Sequence, residues 1–397
     1  MIRMALVLVL LAASATAGAQ PAPRVTLDVD LTPIDGFGLN GYAPPGRLAV
    51  DSAGTHYVVL HDYKPAGDPF QPAAAARISL AALGSDGAVK FKTVLPVRRA
   101  IGPNGFTVES MGVAPAKSGD VVVFISGGNP PAPPATGPNA AGTLFRLAPG
   151  GQLKKEAAVG PPRPPGTDPD APASYYELET YLPTPDNALL LAGGFGSGPY
   201  AWWLGKLSLD GARLWQAGPG RGFPERVGAV AVRPDGTTIA LVQEMRPGDV
   251  GPLDWYIHRY AVDGSAAARM RLPESYGYAV TVLRNGSLFI FVDDSPKPRA
   301  SLVRLDDWGH VVSRSAWPFA WTRRMIPDGD GFVAIVAQTY EADAPEFIVR
   351  ADAKGVIRWK TPAVDVSEIA LAPNGQVAAL VWSDTKATLR LRNYADP

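Results

Sequence analysis

The chain runs to 397 residues, 46% apolar and 19% charged, which supplies a large core and excludes wholesale disorder. Lysine plus arginine and aspartate plus glutamate balance at 37 each, so no basic surface argues for nucleic acid or an anionic membrane. Cysteine is absent, which excludes disulfides, cysteine–zinc sites, iron–sulfur clusters, cysteine nucleophiles and a lipidated cysteine, while 42 glycines and 40 prolines favour turns over long helices.

Residues 1–19 read as a signal peptide. Arg3 and the amino terminus make a small basic region, Met4 to Ala13 is a short apolar run, and Ala17-Gly18-Ala19 offers the small-x-small cut site that leaves Gln20 first. The competing reading, an N-terminal membrane anchor, needs a longer apolar run. No later stretch approaches the length of a membrane helix, so no membrane span is expected after signal removal. Residues 20–397 are expected to form a single domain, in the periplasm or secreted.

Arg24–Leu31 (RVTLDVDL) is an isolated strand-like run with Asp28 and Asp30 on one face, either a solvated outer face or a weak metal pair. Seven similar units follow, each an extended apolar stretch, a turn, and a second extended stretch. They begin at Arg47–His61, Val108–Ser126, Leu178–Gly193, Val227–Gln243, Gly277–Asp293, Ala320–Gln338 and Asp365–Trp382. Their turn residues, Gly54, Gly119, Asn187, Gly236, Gly286, Gly331 and Gly375, are 65, 68, 49, 50, 45 and 44 residues apart. Pro234-Asp235-Gly236 and Pro373-Asn374-Gly375 are hairpin chemistry, because Asp, Asn and Gly tolerate the positive φ of tight turns.

A second hairpin follows in six units, at Asp86-Gly87, Gly150-Gly151, Asp210-Gly211, Asp263-Gly264, Trp308-Gly309 and Lys354-Gly355. Two hairpins make four strands at the period of a propeller blade. The seventh unit stops at Pro397 one strand short, and Arg24–Leu31 can supply the missing one. The predicted fold is therefore all-β: a seven-bladed β-propeller of four-stranded antiparallel blades, its last blade closed by the N-terminal strand.

The first hairpins resemble NHL and YVTN repeats. The second resemble PQQ-like repeats, with an aromatic four residues after the glycine in Gly87…Phe91, Gly211…Trp215 and Gly355…Trp359, a pattern missing after Gly151, Gly264 and Gly309. The resemblance is to secreted bacterial propellers, covers nearly the whole mature chain, implies the fold, and transfers no active site.

In such a fold the two hairpins of each blade lie on one face. The longer connections, among them 61–76, 95–107, 126–142, 159–177 and 243–254, lie on the other, and long irregular loops are usual places for function. Seven positions after each turn residue the sequence reads His61, Ser126, Gly194, Gln243, Asp293, Gln338 and Trp382 at the loop-rich face. Glu109 and Glu179 stand six residues before a turn proline, and Arg323 four before Pro327. This ring can read a ligand in an axial pocket, or it is a set of solvated strand ends.

Aromatics gather at the same face: Tyr175, Tyr176, Tyr200, Trp202, Trp203, Trp255, Tyr256, Trp317, Phe319, Trp321 and Tyr340. They either bind a partner or pack between blades. The Asn129–Pro138 segment is a recognition arm or a spacer. No G-x-S-x-G, H-E-x-x-H or P-loop occurs. His56, His61, His258 and His310 are scattered, and Asp328-Gly329-Asp330-Gly331 reads as a turn rather than a calcium loop.

The favoured function is a non-catalytic binding or scaffold propeller of the bacterial cell envelope. It would hold a protein or carbohydrate ligand on the loop-rich face through Gln243, Gln338, Trp321 and Trp382, with no cofactor. The alternative is a hydrolase or lyase acting on a lactone, sugar or related small molecule. Its candidate catalytic residues are Glu109, Glu179, Asp293, His61 and Arg323, with a divalent cation if it is an enzyme. A quinoprotein is a third, weaker reading, because the aromatic pattern is broken in half of the units.

Overall fold

Short apolar runs separated by glycine-bearing turns become twenty-eight strands among the described residues, in seven antiparallel sheets of four. The computed structural model describes residues 21–32, 47–62, 77–96, 108–127, 142–159, 176–195, 201–218, 226–244, 254–272, 277–283, 288–293, 300–306, 310–329, 331–339, 341, 344–383 and 388–397. Residues 1–20 and most of the long connections, 129–138 included, lie outside them.

Strand β1 (Arg24–Asp30) precedes blade 1, which is β2 (Arg47–Val50), β3 (His56–Asp62), β4 (Arg77–Leu83) and β5 (Val89–Val94). Blade 2 is β6 (Val108–Pro115), β7 (Val121–Gly127), β8 (Gly142–Leu147) and β9 (Leu153–Val159). Blade 3 is β10 (Tyr176–Pro183), β11 (Leu189–Phe195), β12 (Ala201–Leu207) and β13 (Arg213–Ala217). Blade 4 is β14 (Arg226–Val232), β15 (Thr238–Glu244), β16 (Asp254–Tyr260) and β17 (Ala266–Arg271). Blade 5 is β18 (Gly277–Val282), β19 (Leu288–Asp293), β20 (Ala300–Leu305) and β21 (Val311–Trp317). Blade 6 is β22 (Trp321–Asp328), β23 (Gly331–Ala337), β24 (Glu346–Ala351) and β25 (Ile357–Pro362). Blade 7 is β26 (Val366–Leu371), β27 (Val377–Ser383) and β28 (Thr388–Ala395), completed on its outer edge by β1.

The first strand of each blade packs on the first strand of the next, and β26 packs on β2, so the ring is closed. Seven apolar clusters fill the seven seams between neighbouring blades. Second strands are packed on both faces, which explains their unbroken apolar sequences; every residue of β15 and β23 is buried. Outer strands face water, and β21 is exposed along its length up to Trp317.

Closure runs through β1. It pairs antiparallel with β28 from Arg24↔Ala395 to Asp30↔Arg390. Leu31 is fully buried in the seam between blades 7 and 1 and donates its N–H to the Leu389 carbonyl at 2.8 Å. Asp28 faces Arg390 at 2.7 Å and Arg392 at 3.2 Å, so it serves the closing strand as an ion-pair partner.

The turns carry the expected positive φ at Gly54, Gly119, Asn187, Gly236 and Gly375, with one shift: in blade 6 it is Gly329, not Gly331. At the second hairpins the turn glycine abuts the preceding blade. A Cβ on Gly264 (φ +86) would sit 2.5 Å from the Trp215 ring, whereas one on Gly329 (φ +56) would meet nothing within 4 Å. Gly264→Ala should therefore cost about 2–4 kcal/mol from backbone strain plus overpacking, and Gly329→Ala only about 1–2 kcal/mol from strain. Urea denaturation of the two variants checks this; equal losses would remove the packing argument.

Candidate functional site

Antiparallel order puts both hairpins of a blade at one end, the hairpin end, and the other connections at the loop-rich end. The first strands enter from the loop-rich end, and most carry a β-bulge near it. The bulges fall at Glu109 in β6, Glu179 in β10, Gly228 in β14, Tyr278 in β18, Arg323 in β22 and Ser367 in β26. A bulge inserts one residue and re-aims its neighbours, and bulges are common where a sheet edge meets a site.

Register corrects the alignment of the two glutamates. Counted back from the last pair before the turn, Pro115↔Val121 in β6 and Pro183↔Leu189 in β10, Glu109 is six residues away and Glu179 four. They sit at different levels. Judged by strand partners, Glu177, opposite Gly194, is level with Ser110, opposite Ser126, while Glu109 bulges one step nearer the loop-rich end. Glu179 is level with Gly228, Tyr278, Arg323 and Ser367.

The second-strand ring is likewise adjusted. His61, Ser126, Gly194, Gln243, Asp293 and Trp382 occupy one register position at the loop-rich end. In blade 6 that position belongs to Ala337, and Gln338 lies one residue beyond β23, exposed, its N–H bonded to the Pro345 carbonyl. The reason is the tighter turn of blade 6, where Asp328 pairs directly with Gly331. Gln243 is buried, pairing with Trp255 in the interior of blade 4, so it does not line the mouth freely.

Around the axis the described charges are tied together. Glu368 of β26, its side chain 5% exposed, accepts from Arg47 Nη1 at 2.9 Å and lies 3.3 Å from Arg324 Nε. Arg47 also donates from Nε to the Met111 carbonyl at 2.8 Å, so blades 6, 7, 1 and 2 are linked in sequence. Arg323 donates across to the Val366 carbonyl of blade 7 and stands 3.3 Å from Glu346. Beside these arginines an axial cavity of about 360 Å³ runs along the first strands of blades 3 to 6, from Gly228 and Arg323 to Val232 and Pro327.

The aromatics divide. Trp202, Trp203, Trp255, Trp317 and Phe319 are buried in the seams. Trp321 and Trp382 remain half-buried at the loop-rich ends of β22 and β27, in adjacent blades. Tyr175, Tyr200 and Tyr340 lie outside the described residues.

Two polar constellations are not apparent from the sequence motifs. In the seam between blades 3 and 4, His258 holds Tyr260 at 3.1 Å through Nδ1 and Glu244 at 2.9 Å through Nε2. Arg269 closes on the same carboxylate and stacks 3.8 Å over the Tyr256 ring. Burial alone would raise the Glu244 carboxyl, but bonds from His258 and Arg269 more than offset this and hold it below its ordinary range.

The second constellation recurs from blade to blade. One third-strand position reads Arg146, Lys206, Arg259, Arg304 and Arg350 in blades 2 to 6. Arg146 binds Asp120 of its own first turn at 2.7 Å and Asp210 of the next blade at 2.9 Å. Lys206, 2% exposed, binds Asp186 at 2.7 Å and reaches the Val262 carbonyl of the next blade at 3.3 Å. Arg350 binds Asp328 and, in the next blade, Asp396, each at 2.5 Å. Each clamp joins a blade's inner turn to its neighbour's outer rim. The sequence does carry a signal for it: a cation stands four residues before Gly150, Asp210, Asp263, Trp308 and Lys354, visible only when the units are aligned on the second hairpin.

Among the described residues no three His, Asp or Glu side chains group as a metal site, and no helix is long and apolar enough to cross a membrane.

The closed ring of seven four-stranded blades defines the chain as a seven-bladed β-propeller. It is similar to a solved structure described as the Dos1 propeller, with a TM-score of 0.50 and 8% identity over 95% of both chains. It also matches TolB from Acinetobacter baumannii, with a TM-score of 0.41 and 14% identity over 85% of this chain and 80% of that one. The first likeness is one of fold alone. No family model matches the chain, and no curated protein does.

Proposed function

We propose that this chain is an exported, non-catalytic binding propeller of a bacterial cell envelope, holding a protein or carbohydrate partner at its loop-rich mouth. The observation that carries the reading is the pair of half-buried tryptophans, Trp321 and Trp382, at the loop-rich ends of adjacent blades, with Arg323 on the same strand as the first. Tryptophan and arginine are the residues most enriched among interface anchors. The opposite end carries tight turns, where Asp120, Asp186 and Asp328 are engaged in the clamps and Asp86, Asp235, Asp263 and Asp352 accept from N–H groups of their own turns. Export rests on the leader pattern of residues 1–19.

The chain produced with its own leader should begin at Gln20 in the exported fraction, by N-terminal sequencing. Cross-linking in intact cells should yield adducts with wild type that are lost from the Trp321→Ala/Trp382→Ala double variant, as removal of anchors worth ~2 kcal/mol or more each implies. The unfolding midpoint should change little. Retained Met1 in the exported fraction would sink the cleavage site, absence of the chain from that fraction would sink export, and undiminished adducts would sink the face.

A further inference from the structure

We infer that the axial cavity takes a small amphipathic anion, with its carboxylate held by Arg323 and Arg324 and its apolar body directed toward the hairpin end. This rests on the binding reading above and names a ligand class for the same mouth.

Both arginines border the cavity, and the bulge between Thr322 and Arg324 lets the two neighbours turn the same way, toward blade 7, where Arg323 meets the Val366 carbonyl and Arg324 meets Glu368. Their positive charge is not fully matched. Glu368 is shared between Arg324 and Arg47, and Glu346 faces Arg323 at the long distance of 3.3 Å. Among these described groups three guanidiniums meet two carboxylates. Arg324 Nε is buried 3.3 Å from Glu368 Oε1 without a well-aligned hydrogen bond to it, so an incoming oxyanion would compete with Glu368 for that N–H. A planar guanidinium fork suits a carboxylate in particular.

Polarity then changes along the wall. Past Arg324 toward the hairpin end the cavity is bordered by Met325, Ile326 and Pro327 of β22 and by Val280 and Val282 of β18. Met325, Ile326, Val280 and Val282 pack their side chains into the seams between blades and leave only their inner edges toward the axis. Gly228, level with Arg323, leaves its stretch of the wall without a side chain. Thr281 lines the cavity with a buried hydroxyl that has no partner, a second polar point partway along. Strands β14, β18 and β22 each pair with one neighbouring strand only, so their inner edges can offer backbone groups as well. A volume of about 360 Å³ lies near the lower end of ligand-pocket sizes, which suits a short-chain acid rather than a polymer.

Calorimetric titration of the intact chain with octanoate, octan-1-ol and inorganic phosphate tests this. Wild type should bind octanoate. Octan-1-ol should bind about tenfold more weakly or not at all, as should phosphate, because each lacks one half of the recognition. Arg323→Gln should weaken octanoate about tenfold, and Arg324→Gln similarly, the worth of a charge-assisted bond. Lys354→Gln at the hairpin end should change nothing. Arg324→Gln also removes a partner of Glu368, so its unfolding midpoint is measured alongside, and Arg323→Gln is the deciding variant if that one unfolds.

Equal binding of octan-1-ol, equal binding of phosphate, or indifference to Arg323→Gln would each overturn the inference. Absence of octanoate binding while cross-linked adducts still depend on Trp321 and Trp382 would overturn it and leave the binding reading standing. Loss of both results would remove that reading as well.

Discussion

Arg350→Met should lower the unfolding free energy by about 3–5 kcal/mol, the usual cost of removing one partner from a buried ion pair. Arg350 and Asp328 are 10% and 11% exposed, and the Asp328 carboxylate would be left in the interior without its guanidinium. Asp396 would lose a partner too, keeping only the Trp359 indole N–H at 2.7 Å, so the contact between blades 6 and 7 loosens at its rim. A double-mutant cycle with Asp328→Leu should show a smaller combined loss than the sum of the two, because removing both charges leaves neither stranded. A loss below about 1 kcal/mol for Arg350→Met would place the clamp among ordinary surface pairs and refute its role.

The same clamps set an acid limit. For Asp120, burial alone would raise the carboxyl, but hydrogen bonds from Lys154 and Arg146 outweigh it and hold the group below its ordinary value; Asp186 is lowered likewise against its own burial, chiefly by Lys206. A carboxyl depressed in the folded state adds stability that is fully present above about pH 4 and is lost as pH falls through the folded value. Unfolding free energy should therefore drop as pH goes below about 4, and Asp120→Asn should flatten that drop while costing stability at neutral pH.

Deletion of residues 20–31 should be the most damaging single change, with a loss on the order of 5 kcal/mol or more and a fall in Tm on the order of 10 °C. The deleted segment carries Leu31, wholly buried in the seam between blades 7 and 1, where a truncated leucine alone costs about 2–5 kcal/mol. It also carries the ladder from Arg24↔Ala395 to Asp30↔Arg390, and its loss exposes β28 as an open edge ready for aggregation. A synthetic peptide of residues 21–32 should restore the midpoint when added in excess, since it binds the folded ring and not the unfolded chain. An unchanged midpoint on deletion would mean that blade 7 holds without its outer strand.

Much of this molecule is legible in its sequence, because a propeller repeats local chemistry. Turn glycines, double-faced apolar second strands and a stray N-terminal strand are each written within a few residues. Together they specify seven blades and their closure. What the tertiary structure alone decided is which residues share a level. One tighter turn in blade 6 moved Gln338 out of the ring and put Ala337 in its place, and a bulge two residues earlier in β6 separated Glu109 from Glu179. A one-residue slip reverses the face a side chain occupies, so register cannot be counted across units whose turns and bulges differ. The fate of the tryptophans was equally tertiary. Trp202, Trp255 and Trp317 look like Trp321 and Trp382 in sequence, and only the approach of the neighbouring blade buries the first three and leaves the last two half-buried, Trp382 packed against the seam between blades 7 and 1.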